Sequence, residues 1–92
     1  MIVAFTPNGW DNYQYWLEND SSVIVKINRL INEISREPFR GIGKPEPLSG
    51  NLAGYWSRRI TGEHRLVYAI AGSKPNQTVT IIQARFHYLD SL

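Results

Sequence analysis

The sequence predicts an α+β domain in which a helical hairpin lies on one face of a twisted antiparallel sheet of about four strands. Three observations predict it. Val23, Ile24, Ile27, Leu30, Ile31 and Ile34 form one apolar stripe at helical spacing. Three strand-like runs, Leu52–Ile60, Glu63–Ala71 and Thr78–His87, follow in the second half and are separated by turn residues. Between the two halves lies a stretch rich in Gly and Pro that neither a helix nor a central strand would tolerate.

Met1–Thr6 reads as a short apolar strand, which Pro7 stops. Asn8 is the expected N-cap of a first helix, with Asp11 in its first turn. Trp10, Tyr13 and Leu17 would form its apolar face. Asn19–Ser22 breaks that helix and supplies a capping Ser for the next. The second helix should end at Glu37, because the residue before a proline avoids the α region. Phe39–Asn51 is then a loop in which Pro45 and Pro47 flank Glu46. Thr61-Gly62 signals a two-residue hairpin, and Gly72–Gln77 a longer one. Alternation assigns Leu66, Tyr68 and Ile70, with Ile82, Ala84 and Phe86, to the helix side. Arg65, Arg85 and His87 fall on the opposite, open face. Trp10, Trp16 and Trp56 are expected in the core.

Ninety-two residues suffice for a single domain over 1–92, burying roughly 60–70% of the unfolded surface. With 42% hydrophobic residues, a disordered chain is excluded. The absence of Cys removes disulfides and thiolate metal sites, and two His with no Cys make no metal centre, so no cofactor is expected. The N-terminus lacks the pattern of a signal peptide and no run is long enough to span a bilayer, which makes a cytoplasmic location the expectation. No P-loop, GxGxxG or GxSxG occurs. The net charge of +2 does not by itself nominate a nucleic acid, but the cations of the second half gather on and beside the strands.

Those cations are the substance of the candidate site. Lys44, Arg59, Arg65 and Arg85 could hold a phosphodiester, for which a guanidinium fork is well shaped. Arg58 points away from Arg59 and should reach a sheet edge or pair with a carboxylate. Glu46 offers a carboxylate at the mouth of the cationic face, and His87 a proton donor on it. A terminal His is more often a surface or capping residue, and a loop acid is more often idle; company with Arg65 and Arg85 is what raises both. His64 has the opposite parity and reads as structural. Tyr55, Phe86 and Tyr88 could stack on unpaired bases. Glu46, Arg65 and His87 all read as exposed positions.

The segments GKPEPL (Gly43–Leu48), Asn51-Leu52, Gly54, WSRRIT (Trp56–Thr61), EHRLVYA (Glu63–Ala69), Arg85 and His87-Tyr88 together resemble the YoeB branch of the RelE-type bacterial toxins. The likeness extends back through Pro38-Phe39, Leu30-Ile31 and Ile27-Asn28 to Trp10-Asp11. It implies the microbial-ribonuclease-like toxin fold and a ribosome-dependent mRNA endonuclease. In that reading Glu46 is the base, Arg65 the phosphate contact and His87 the acid, with Arg59 and Tyr88 assisting. The resemblance further implies a YefM/Phd-type antitoxin as partner, ribosome and mRNA as targets, operator DNA reached only through the antitoxin complex, and a possible homodimer. Ser49-Gly50 stands where the family often has Lys-His, and Leu89–Leu92 extends past the usual terminal His-Tyr. A gyrase-inhibiting relative would lack the Glu/Arg/His set. A binding module that acts in a repressor complex without chemistry is the competing expectation.

Overall fold

The computed structural model describes residues 1–87. The chain runs β1 (Ile2–Phe5), α1 (Pro7–Asn19), α2 (Ser21–Arg36), β2 (Glu46–Pro47), β3 (Trp56–Arg59), β4 (Arg65–Ala71) and β5 (Thr78–Gln83), with a 3-10 turn at Gly50–Leu52. The sheet order is β1-β5-β4-β3-β2. Both helices back one face, as expected. The sheet has five strands rather than about four, because Glu46-Pro47, expected in a loop, pairs with Ser57 and Trp56. It is also mixed: β1 runs parallel to β5, from Ile2↔Thr78 to Phe5↔Ile81. The helical hairpin between β1 and the other strands serves as the crossover that a parallel pairing needs.

The stripe on α2 is buried as its spacing predicts, with Ile27, Leu30 and Ile34 fully enclosed against Leu66, Tyr68, Val79 and Ile81. Asp20 caps α2, its carboxylate accepting from Ser22 N at 3.1 Å and Ser22 Oγ at 2.6 Å. Those bonds hold its carboxyl below the ordinary value.

α1 differs from expectation in cap and in face. Thr6, not Asn8, is the N-cap, accepting from Gly9 N at 3.1 Å, with Pro7 in the first helical position. Asn8 instead donates to Ile82 O. The buried face carries Gly9 and Trp16, while Trp10 and Leu17 are about half exposed. Gly9 decides this: a Cβ there would lie 2.2 Å from Ile81 O, so α1 meets β5 backbone to backbone. Trp10 turns outward onto Phe5 and Tyr13. Of the three tryptophans only Trp16 is buried in the core; Trp56 is half-buried against Phe39.

β5 carries an irregularity that alternation could not reveal. Tyr68 pairs with Ile81 and Val67 with Gln83, leaving Ile82 as an extra residue. The bulge puts Ile82 and Gln83 both opposite Val67, on the face without helices. Ile82, expected against the helices, therefore packs with Val67, Leu48 and Leu52, whereas Val79 and Ile81 take the helix side. The strand stops at Gln83, short of the expected His87, and Phe86 adopts a φ of +65°. α1 fixes this end: Trp16 Nε1 donates to Ala84 O at 2.8 Å, and Asn12 Oδ1 accepts from Ala84 N at 2.9 Å. The β3–β4 connection is likewise wider than a two-residue turn, since Ile60 N and Thr61 N both reach His64 O.

Arg58 neither reaches an edge nor meets a carboxylate. It is fully buried, donating to Tyr68 Oη (3.2 Å) and to the carbonyls of Glu37 (2.6 Å), Arg40 (2.9 Å) and Ile42 (3.1 Å). Glu37 is the C-cap of α2, where the helix dipole presents partial negative charge to the guanidinium. The Tyr68 hydroxyl donates to Pro38 O at 2.7 Å, and burial raises its pKa, partly offset by Arg58. One cation thus holds the whole loop that leads from α2 toward Glu46.

Candidate active site

Cross-strand partners share a face, so the register defines the site. One row across the helix-free face reads Glu46, Ser57, Val67, Gln83. The adjacent row sets Arg59 directly opposite Arg65. Behind these rows Leu48, Leu52, Tyr55, Val67 and Ile82 make a small apolar floor. Like charges opposite each other on antiparallel strands repel, and a bound anion would relieve the repulsion.

Glu46 is exposed on edge strand β2, which the loop presents through Gly43. Gly43 has φ +83°, and a Cβ there would meet Leu30 Cδ2 at 2.9 Å and Arg58 Cβ at 3.0 Å. Its carbonyl accepts from Arg59 N, which joins the loop to β3. Lys44 is exposed in the same loop with φ +52°.

Arg65 is not the exposed residue that alternation suggested. It is only 7% exposed, and its Nη1 donates to Thr61 O (2.9 Å), His64 O (3.1 Å) and Gly62 O (3.2 Å). Arg65 therefore builds the β3–β4 loop as well as facing the site. Arg59 beside it is exposed.

Arg85 departs further from expectation. Its guanidinium lies 3.5 Å over the Tyr15 ring on α1 and 4.3 Å from the Phe86 ring, and Nε is buried without a hydrogen-bond partner. The end of β5 at Gln83 breaks the alternation that would have put it beside Arg65. In this conformation it fastens the terminal segment to α1.

His87 is exposed, on a segment that curls back beside β4. Arg65 N donates to Phe86 O at 2.9 Å, and Phe86 N donates to His64 Nδ1 at 2.8 Å. His64, whose ring packs on Trp16, is thus structural, as its parity predicted. With strands about 4.8 Å apart, β2 and β4 lie roughly 10 Å from one another. Glu46 approaches from one side and the His87 segment from the other, with Arg59 and Arg65 between. Tyr88 lies outside the described residues, as does the tail beyond it.

Two residues were undervalued in the sequence. Arg58, expected at a sheet edge or on a carboxylate, is enclosed beneath the loop instead, and Gln83, expected only as a polar residue of the open face, is buried. Gln83 is 4% exposed, and its amide nitrogen contacts three carbonyls of residues 85–87. A polar amide next to Ile81-Ile82 and Ala84 was the available signal, since a buried amide must find partners. Among the described residues no three of His, Cys, Asp and Glu gather to hold a metal ion, and no helix is long and apolar enough to cross a membrane.

A two-helix layer thus backs one face of a mixed sheet, and the other face carries Glu46, Arg59 and Arg65 with the His87 segment beside them, an α+β layout. The profile described as "YoeB-like toxin of bacterial type II toxin-antitoxin system" matches residues 5–88, so the chain belongs to that family. It is 54% identical to "Toxin YoeB" of Streptomyces coelicolor, over 96% of this chain and 100% of that one. It superposes on the "YoeB/ParE toxin from Agrobacterium tumefaciens" with a TM-score of 0.91 at 52% identity, covering 96% and 100% of the two chains. It also matches the heterotetrameric YoeB-YefM toxin–antitoxin complex from Staphylococcus aureus, at TM-score 0.84 and 42% identity, covering 96% and 98%.

Proposed function

We propose that this toxin is an endoribonuclease that cuts mRNA on the ribosome by metal-independent transesterification. The observation that carries the reading is the row geometry: Glu46 on one side, Arg59 and Arg65 paired in the middle, and the His87 segment closing from the far side. Glu46 takes the proton of a ribose 2′-OH, whose oxygen attacks the adjacent 3′-phosphate. The Nε and Nη2 side of Arg65, with Arg59, stabilises the charge that grows on the non-bridging oxygens. The P–O5′ bond breaks as His87 protonates the leaving oxygen. The products are a 2′,3′-cyclic phosphate and a 5′-OH. Lys44 and Tyr88 assist in holding the strand; Arg85 could join them only by leaving Tyr15. The ribosome contributes by presenting the codon in a reactive geometry.

The partner in this reading is an antitoxin of the YefM type, as in the Staphylococcus aureus complex. The Arg59–Arg65 pair suits an acidic segment that folds on docking. Operator DNA is contacted through that complex, the free toxin forms a homodimer, and the protein acts in the cytoplasm.

Expression without an antitoxin should stop amino-acid incorporation and growth, and mapped mRNA ends should carry 5′-OH and cyclic phosphate. Glu46→Gln and His87→Gln should restore growth, each costing about a hundredfold or more in cleavage. Both side chains are exposed, so thermal unfolding should stay near wild type. Normal growth with soluble wild-type protein accumulating would replace the nuclease reading with the binding-module one.

A further inference from the structure

Residues 84–87 continue past the end of β5, and in the proposed mechanism they present His87 to the substrate. Gln83 is the residue around which it turns. Its Nε2 lies 2.7 Å from Arg85 O, 3.2 Å from Phe86 O and 3.0 Å from His87 O. Three acceptors converge there, so the NH2 and not the carbonyl of the amide must face them. The bulge at Ile82 is what aims Gln83 at this point, on the same face as Glu46. The neighbouring bonds from Arg65 N and to His64 Nδ1 hold Phe86, whereas Gln83 reaches the peptide of His87 itself.

We propose that Gln83 is a positioning residue that sets His87 in place to protonate the leaving 5′-oxygen. The inference rests on the endoribonuclease reading. Gln83 touches no reacting atom. It acts by clamping the backbone of residues 85–87, and a displacement of about 1 Å in a reacting group can cost up to a hundredfold. Its contribution should therefore appear only in steps that need the proton.

The test is single-turnover cleavage of mRNA on programmed ribosomes by Gln83→Met, which keeps the shape and removes the donor. The expected result is a fall of about tenfold or more in the cleavage rate constant, with half-saturating ribosome concentration unchanged. A second mRNA carries sulfur in place of the bridging 5′-oxygen at the cut. There the P–S bond breaks and a thiolate departs without a proton, so the defects of Gln83→Met and His87→Gln should both largely vanish. In the Gln83→Met/His87→Gln double variant the losses should not multiply. Gln83→Glu, which turns a carboxylate toward three carbonyls, should be worse on the oxygen substrate and likewise rescued by sulfur. It carries the comparison if Gln83→Met folds poorly. A defect that persists on sulfur, or multiplies with His87→Gln, overturns the proposal. So does a Gln83→Met protein as fast as wild type. If wild type itself leaves the ordinary mRNA intact, the nuclease reading has failed instead.

Discussion

Replacing Arg65 with Ala should damage catalysis and stability together, because the one guanidinium has two tasks. Nη1 gathers three carbonyls of the β3–β4 loop, and none of the hydrogen bonds among the described residues uses Nε or Nη2. Removing a charged donor from these part-buried carbonyls, two of them on exposed residues, costs at most about 2 kcal/mol, because water can replace part of it. Losing the charge opposite a developing phosphorane costs about a hundredfold to a thousandfold in rate. Arg65→Lys should separate the two tasks. An ammonium has three donors for the three carbonyls, so most of the stability should return, but it lacks the fork that leaves a second edge for phosphate. Urea unfolding and single-turnover cleavage on the same preparations measure both. An alanine variant as stable as wild type would mean that the loop does not depend on Nη1. A lysine variant with full activity would mean that the second edge is not used.

The largest effect on stability should come from Arg58. Arg58→Ala removes four hydrogen bonds from a fully buried position, strands the carbonyls of Glu37, Arg40 and Ile42, and leaves a cavity beside Leu30 and Tyr68. Four charge-assisted hydrogen bonds and the cavity lost together should cost about 3–5 kcal/mol, a large share of the 5–15 kcal/mol of a whole domain. Arg58→Lys should not rescue it, because a single ammonium cannot span partners spread over Glu37–Ile42 and Tyr68. Tyr68→Phe, which removes the hydroxyl that accepts from Arg58 Nε and donates to Pro38 O but leaves Arg58 its three carbonyls, should cost about 2 kcal/mol. Urea midpoints at constant slope decide this. A loss below about 1 kcal/mol for Arg58→Ala would show that the loop is held some other way.

What the sequence made legible follows from which features are local. The α2 stripe, the break at Glu37-Pro38 and the parity of Leu66, Tyr68 and Ile70 depend on neighbours along the chain, and each is found as expected. The parallel pairing of β1 with β5 is set by where the helical hairpin delivers the chain, which no local pattern records. The bulge at Ile82 hid because VTIIQA is apolar enough for either face; it moves Ile82 to the helix-free face and leaves Ala84 on the helix side as expected. The identities of Glu46, Arg59, Arg65 and His87 were readable as chemistry, and the register sets the first three on the helix-free face with the His87 segment beside Arg65. The exposure of Glu46 and His87 was readable, but the burial of Arg58 and Arg65 was not. Arg58 and Arg65 are charged in the sequence, but only the fold supplies the carbonyls that let a charge be enclosed. Arg85 shows the reverse, a cation expected to meet substrate that rests on Tyr15.

In the proposed mechanism everything turns on a ribose 2′-oxygen that attacks the adjacent phosphate on this face of the sheet. The direct measurement is cleavage of an mRNA with a single 2′-deoxy substitution at the cut nucleotide, on programmed ribosomes, beside its all-ribose twin. The deoxy strand should stay intact at that position while the ribose strand is cut to a cyclic phosphate and a 5′-OH, since without the 2′-OH the nucleophile is missing. Equal cleavage of the two strands would contradict it, whatever the substitutions at Glu46, Arg65 and His87 had shown.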